Sequence, residues 1–262
     1  MPEPDDAADT ALLEAAVRQA GAIARTFLTG QNKTRRKPDG SPVSDADLAV
    51  DRFLTARLRP ARPEYAWLSE ETEDDPARLS ARRVFIVDPI DGTVAFLKGR
   101  PHFTISAAVV EGEIPVAAAV YNPLTEECFT AVKGRGARLN GAPIRVSGRE
   151  RLEGCRMLAS KTTLQSPCWG GVPWPPMTVE TPNSMAYRIA LVACAAFDAS
   201  VSLSATHDWD LAAADLIVRE AGGLISSHQG KPFRYNQASS IQPSVVAAGR
   251  ALHEAILSRV KS

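Results

Sequence analysis

VFIVDPIDGT, residues 84–93, is the stretch whose reading decides the fold. Val84, Phe85, Ile86 and Val87 form a continuous apolar run, mostly β-branched and followed by turn residues, which is the pattern of a strand covered on both faces. Pro89 cannot donate to a sheet ladder, and Gly92 permits backbone geometry that other residues resist. The strand is therefore expected to stop near Asp88. Asp88 and Asp91 then sit at a strand's carboxyl end, where open α/β sheets hold their ligands.

Working outward, YAWLS (65–69), FTISAAVV (103–110), IPVAAAVY (114–121) and CFTAV (128–132) read as further strands, with turns at EGE and NPLTEE. Upstream, TALLEAAVRQAGAIARTFLTG (10–30) places apolar residues at helical spacing and stops at Gly30. The polar stretch QNKTRRKPDGSP (31–42) reads as a loop. Ser44 with Asp47 three positions on resembles a capping box, opening a helix through about Leu58. Beyond residue 150 strands and helices alternate. RMLAS is a strand and SMAYRIALVACAAF (184–197) a helix. WDLAAADLIVREAGG (209–223) is a helix apolar on most of its circumference and hence internal. LISS, SVVAAG and a last helix through ALHEAILSRV follow, with no repeat or linker. The loop WGGVPWPPM (169–177) carries two tryptophans that either line a pocket or anchor the loop, and anchoring is the expectation.

The chain has 262 residues and 45% hydrophobic content, enough for one large domain or two intimately packed halves. Its 30 basic and 30 acidic residues leave formal net charge zero, so no overall field attracts a nucleic acid polymer or an anionic membrane. Lys33, Arg35, Arg36 and Lys37 lack interleaved aromatics and read as a solvated loop. The acidic beginning MPEPDDAADT is unlike a signal peptide, and no apolar run approaches the ~20 residues of a membrane span, so a soluble cytoplasmic protein is expected. Cys128, Cys155, Cys168 and Cys194 show no metal spacing and are expected to be reduced.

The acidic residues carry the chemistry. Glu70 and Glu71 follow one strand, Asp88 and Asp91 another, and Asp208 and Asp210 open the apolar helix. Were those ends to converge without a cation, desolvated carboxylates would repel and take up protons. A hard divalent cation removes that penalty, and oxygen-only ligands select magnesium, manganese or calcium. A short helix beginning near Thr93 would offer free N–H groups to a phosphate, and the Thr93 hydroxyl could hydrogen-bond a water. These are the parts needed for phosphomonoester hydrolysis. Each residue also has a plainer role open to it: Asp47 and Asp210 as helix-capping acids, Asp208 as a solvated acid or one that supports the ligands, His207 as a hydrogen-bonded loop histidine.

Together DPIDGT (88–93), SEE (69–71), SDAD (44–47) and WDLAAADLIVREAGG (209–223) resemble the inositol monophosphatase superfamily of magnesium-dependent, lithium-sensitive phosphatases. The resemblance implies a layered αβαβα sandwich: an α+β half at 1–148 carrying most metal ligands and an α/β half at 149–262 carrying Asp210. It also implies a homodimer. By motif position, Glu70, Asp88 and the Ile90 carbonyl resemble ligands of an activating Mg2+. Asp88 would bridge to a second ion held by Asp91 and Asp210, and Glu70 would reach a third through water; Mn2+ is an expected substitute. Thr93, Asp47 and Glu70 form the implied catalytic set, with Thr93 and Asp47 aligning the attacking water. Gly92 and Thr93 are the implied phosphate cradle, and Glu71 and Lys37 support the ligands without being among them.

For the substrate, the glutamate that contacts inositol hydroxyls in such enzymes is replaced here by Leu203. KPDGSPVS (37–44), LSEE (68–71) and the Gly92–Gly99 pattern resemble 3'(2'),5'-bisphosphate nucleotidases, although Val94 replaces a lysine of that set and Ser202 stands near an absent basic residue. A bisphosphate nucleotidase is the expectation, with an inositol-1-monophosphatase, a histidinol phosphate or sugar phosphatase, and a non-catalytic metal- or phosphate-binding protein as alternatives.

Overall fold

A computed structural model describes residues 5–38 and 40–261; the MPEP beginning and Asp39 of KPDGSPVS lie outside the described residues. Helix α1 (Asp6–Thr29) opens on Asp5, whose carboxylate accepts from the Ala7 and Ala8 N–H groups. Strands β1 (Thr34–Arg36) and β2 (Pro42–Ser44) pair antiparallel, and α2 (Asp45–Leu58) starts on the expected Ser44–Asp47 capping box. The first large sheet is built by β3 (Ala66–Ser69), β4 (Arg83–Asp91), β5 (Thr104–Glu111), β6 (Ile114–Asn122), β7 (Glu127–Val132), β8 (Ala137–Leu139) and β9 (Ala142–Pro143), in that spatial order. The short helix α3 (Thr93–Leu97) sits between β4 and β5.

Strand β10 (Arg156–Leu158), helix α4 (Lys161–Leu164), strand β11 (Thr178–Glu180), helix α5 (Met185–Ala193), strands β12 (Ala199–Ser202) and β13 (Thr206–His207), helix α6 (Asp208–Glu220), strands β14 (Gly223–Ser226), β15 (Ile241–Gln242) and β16 (Val245–Gly249) and helix α7 (Arg250–Leu257) complete the described chain. The second sheet runs β11-β10-β12-β16-β14.

Alternation along the strands generates the layers. Phe85 and Val87 face a core shared with α1 and α2, whereas Val84 and Ile86 face α5 and α6. Those two helices also cover Ile225, Val245 and Ala247 of the second sheet, whose other face, at Met157, Val201 and Val246, packs on Leu252 and Ile256 of α7. The result is the five-layer αβαβα sandwich, and β4 is covered on both faces, as VFIV implied.

Three local expectations are corrected. Strand β4 does not end at Asp88 but runs to Asp91 through a bulge: Asp88 pairs with Ser106 and Asp91 with Thr104, so three steps on β4 match two on β5. The stretch 31–42 is not wholly loop, because Thr34–Arg36 forms a hairpin with β2, its side chains exposed as a solvated segment requires. Helix α5 stops at Ala193, so Ala195–Phe197 lies outside it; Ala195 has φ 58, which a helix cannot use. The WGGVPWPPM tryptophans are anchors: buried Trp169 donates Nε1–H to the Thr163 carbonyl at 2.7 Å and Trp174 to that of Leu164 at 2.8 Å. All four cysteines are free thiols.

Candidate active site

In a regular strand residues three apart point to opposite faces; the extra residue of a bulge returns them to the same one. The β4 bulge therefore turns Asp88 and Asp91 to one side, where Asp210 arrives from the first turn of α6. Carboxylate oxygens of the three lie within 4.8 Å of one another.

Each acid is held differently. Asp91 Oδ2 accepts from the Ser184 hydroxyl at 2.6 Å and the Ala186 N–H at 2.6 Å, at the start of α5. Asp210 Oδ2 accepts from the Thr206 hydroxyl at 2.6 Å and the His207 N–H at 2.7 Å. Asp47 Oδ2 accepts from both the hydroxyl and the N–H of Ser44, at 2.6 and 2.9 Å, while its Oδ1 accepts from the Thr93 hydroxyl at 3.1 Å. The capping and functional roles weighed for Asp47 thus use different oxygens. Asp88 has no such clamp: its side chain is 1% exposed and neither oxygen has a hydrogen-bond partner among the described residues.

Burial, followed by the facing charges of Glu70, Asp91, Asp210 and Asp47, pushes the Asp88 carboxyl well above its ordinary value. Burial and then Asp210 raise Asp91, against the hydrogen bonds from Ser184 and α5. Asp210 and Asp47 are raised by burial as well. An unpartnered buried carboxylate among other carboxylates is unfavourable by itself, and an all-oxygen donor set of this spacing fits a hard divalent cation. Asp88, Asp91 and Asp210 are the residues that could hold it.

Glu70, expected among the ligands, is not in the 4.8 Å set. Its Oε1 lies 2.7 Å from Lys37 Nζ, which is also 2.7 Å from Glu71 Oε1. Burial would lower the Lys37 ammonium, but Glu70 and Glu71 hold it above the ordinary lysine value. Burial pushes Glu71 up to about 7 despite Lys37. The turn carrying both glutamates is tied to α2 by Asp51, which accepts from Ser69 Oγ at 2.6 Å and Thr72 Oγ1 at 3.0 Å.

Gly92 has φ 92, and a Cβ there would meet the His102 carbonyl oxygen at 2.8 Å, so both conformation and space require glycine. It leads into α3, whose first N–H groups have no intrahelical acceptor. Thr93 is buried and lies within reach of two acceptors, Asp47 Oδ1 and the Ile90 carbonyl at 3.2 Å.

The remaining acids and histidine are structural. Asp208 is fully buried rather than solvated and accepts from the Asn236 N–H and Gln242 Nε2. His207 caps α6, lies 3.2 Å from Ser240 Oγ and stacks on Trp209. Sequence reasoning missed Ser184, Thr206 and Asp51. Ser184 could have been found as a serine N-cap before an apolar helix and Thr206 as a hydroxyl four residues before Asp210; Asp51 gave no signal beyond being a buried-face acid on α2.

Fold and site together define a metal-dependent hydrolase. The chain belongs to the inositol monophosphatase family, a family of phosphatases, whose model matches residues 5–262. It is 35% identical to the inositol-1-monophosphatase of Rhizobium meliloti over 256 residues, covering 94% of each chain. It is also 34% identical to the Nus factor SuhB of Xylella fastidiosa over 195 residues, 72% of this chain and 70% of that one. Among solved structures, the extragenic suppressor protein suhB of Bartonella henselae superposes with TM-score 0.86 at 28% identity, covering 97% of this chain and 99% of the other.

Proposed function

We propose that the protein is a Mg2+-dependent phosphomonoester hydrolase that releases inorganic phosphate from a small hydroxylated monoester, with inositol monophosphates as its substrate class. The observation that carries the metal-dependent reading is Asp88, a buried carboxylate whose two unpartnered oxygens suit it to bridging two cations. Asp88, Asp91, Asp210, Glu70 and the Ile90 carbonyl would hold two to three ions. When bound, these neutralise phosphoryl charge and lower the pKa of water.

The rest falls to the chain's own groups. The Thr93 hydroxyl has one proton and two acceptors within reach; when it goes to Asp47, a Thr93 lone pair is free to accept from the attacking water. The raised Asp47 carboxyl makes the pair a better proton sink. Gly92 and Thr93 N–H groups hold phosphate oxygens. Lys37 keeps Glu70 and Glu71 in place.

The inositol reading is supported by the names borne by full-length relatives such as that of Rhizobium meliloti. A bisphosphate nucleotidase is a second reading, favoured by a groove of ≈ 410 Å³ between the β1–β2 hairpin and α3: Arg35, Arg36 and Lys98 supply cations for a second phosphate, and Pro42, Val94 and Leu97 an apolar wall. Leu203 favours it too, because this half-buried apolar side chain, packed against the cluster under α7, has no group to hydrogen-bond a hydroxyl. The deciding measurement compares kcat/KM for inositol 1-phosphate, 3'-phosphoadenosine 5'-phosphate and histidinol phosphate with Mg2+ and with EDTA. A ~10²-fold or greater preference assigns the substrate, because polar groups left unpaired by the wrong one are costly. No phosphate release from any of them would defeat the enzyme reading. Substitution by Mn2+, inhibition by lithium, a homodimer and a division near residue 148 belong to the same proposal. Metal and lithium titrations, light scattering and limited proteolysis check them.

A further inference from the structure

Two of the carboxylates that converge on the metal site carry the same clamp, a hydroxyl and a backbone N–H on one oxygen, supplied from different parts of the chain. For Asp91 the hydroxyl belongs to Ser184; for Asp210 it belongs to Thr206. An sp² carboxylate oxygen has two lone pairs, so in both cases the two donors occupy those of Oδ2 and a cation would take the residue through Oδ1; Asp91 is further held by the Met185 backbone.

The direction of the Ser184 proton is set by its neighbours. Ser184 Oγ caps α5 by accepting from the Tyr187 N–H at 3.0 Å and lies 3.0 Å from Thr104 Oγ1. At 2.6 Å from a carboxylate that can only accept while ionised, its one proton goes to Asp91. Thr104 therefore donates to Ser184, and the hydroxyl is saturated, with no freedom to release Asp91. Thr104 and Ser184 are both fully buried, which keeps water from competing.

We infer that Ser184 and Thr206 are positioning residues that enforce one-oxygen ligation by Asp91 and Asp210 and thereby select Mg2+ against Ca2+. The inference rests on the metal reading above. Magnesium demands a tight octahedron of single oxygen contacts, whereas calcium takes six to eight oxygens and gains from carboxylates that bind through both. A clamped Oδ2 withholds those extra contacts while leaving a pre-oriented Oδ1 for the smaller ion. Asp88, unclamped, retains both oxygens for bridging.

The test is titration calorimetry of Mg2+ and Ca2+ separately into metal-stripped wild type, Ser184→Ala, Thr206→Val and the double variant. Each single variant should shift the Mg2+/Ca2+ affinity ratio toward calcium by about 10-fold, the scale on which partners of metal ligands act, and the double variant by more. Ser184→Thr and Thr206→Ser, which keep the hydroxyl, should hold the wild-type ratio. Thr206→Val is nearly isosteric and caps no helix, so it decides the matter even if loss of the α5 cap unfolds Ser184→Ala. An unchanged ratio, or a parallel fall for both ions, would overturn the inference while leaving the metal site in place. Wild type that bound neither ion would remove the metal reading and this inference with it.

Discussion

Two regions of this molecule bury aspartate completely and solve the problem in opposite ways. Under the amino-terminal helix, Asp9 is fully buried, yet Oδ1 accepts from Arg62 at 2.7 Å and Oδ2 from Arg83 and the Tyr65 hydroxyl at 2.9 Å each. Arg83 also reaches Asp6 and Glu111, both at 2.6 Å, so charge and hydrogen bonds close on themselves. At the β4 bulge, Asp88 is just as buried and has no partner among the described residues, and its neighbours are further acids. A carboxylate with resident guanidinium groups holds the fold together. One without them is kept where an external cation can complete it.

The largest effect that separates the two should come from Asp88→Asn. It removes the ligand charge but also the buried repulsion, so kcat/KM should fall by ~10³-fold or more, the scale of several kcal/mol of metal stabilisation, while the metal-free Tm does not fall. Mg2+, which should raise the Tm of the wild type, should leave that of the variant unchanged. A variant destabilised without metal, as Asp9→Asn should be, would erase the distinction between the regions. Arg83→Met, in the structural cluster, leaves Asp9 short of a cation and should cost about 3–5 kcal/mol in denaturant unfolding, with turnover per folded molecule unchanged. Thr93→Ala sharpens the catalytic side: kcat should drop about 10²-fold with little change in KM, because the role proposed for the hydroxyl is on the attacking water. An altered KM alone would contradict that role.

The smallest effect is in pH. Glu71 has a folded value of about 7 against an ordinary 4.5, and Asp88, Asp91 and Asp210 are raised too. Between the ordinary and the raised values the folded protein holds protons that the unfolded chain has lost. That contribution is present at low pH and disappears as pH rises toward and past 7. In EDTA, Tm should therefore fall between about pH 5 and 8 by a few degrees, at ~2–4 °C per kcal/mol, and Mg2+ should restore most at the alkaline end. A metal-free Tm that rose over this range would mean the acids are compensated after all.

Much of the site was legible because its anchors are local. DPIDGT announced a strand end, a required glycine and a helix start, and the Ser44–Asp47 spacing announced a cap, all decided within a few residues. Asp210 was legible only through the resemblance of WDLAAADLIVREAGG, because an acid at the start of an apolar helix reads by itself as a helix-capping residue. Glu70 was legible as a nearby acid, but its hold on Lys37 was not, since the two lie 33 residues apart. The Asp9 cluster escaped notice altogether, because Asp9, Arg62, Tyr65 and Arg83 share no motif and meet only through packing of α1 on the sheet.

By itself the sequence determined most of the elements, since periodicity, capping and turn chemistry act over a few residues, while the resemblance carried by its motifs implied the five-layer order and the acids that converge. Tertiary structure alone decided which oxygen of each acid remains available. One extra residue in the β4–β5 register turned Asp88 and Asp91 to the same face, and Ser184, 93 residues from Asp91, closed one oxygen of that pair. Strand register and cross-element hydrogen bonds are set by how distant segments pack, and no local pattern in the chain encodes them.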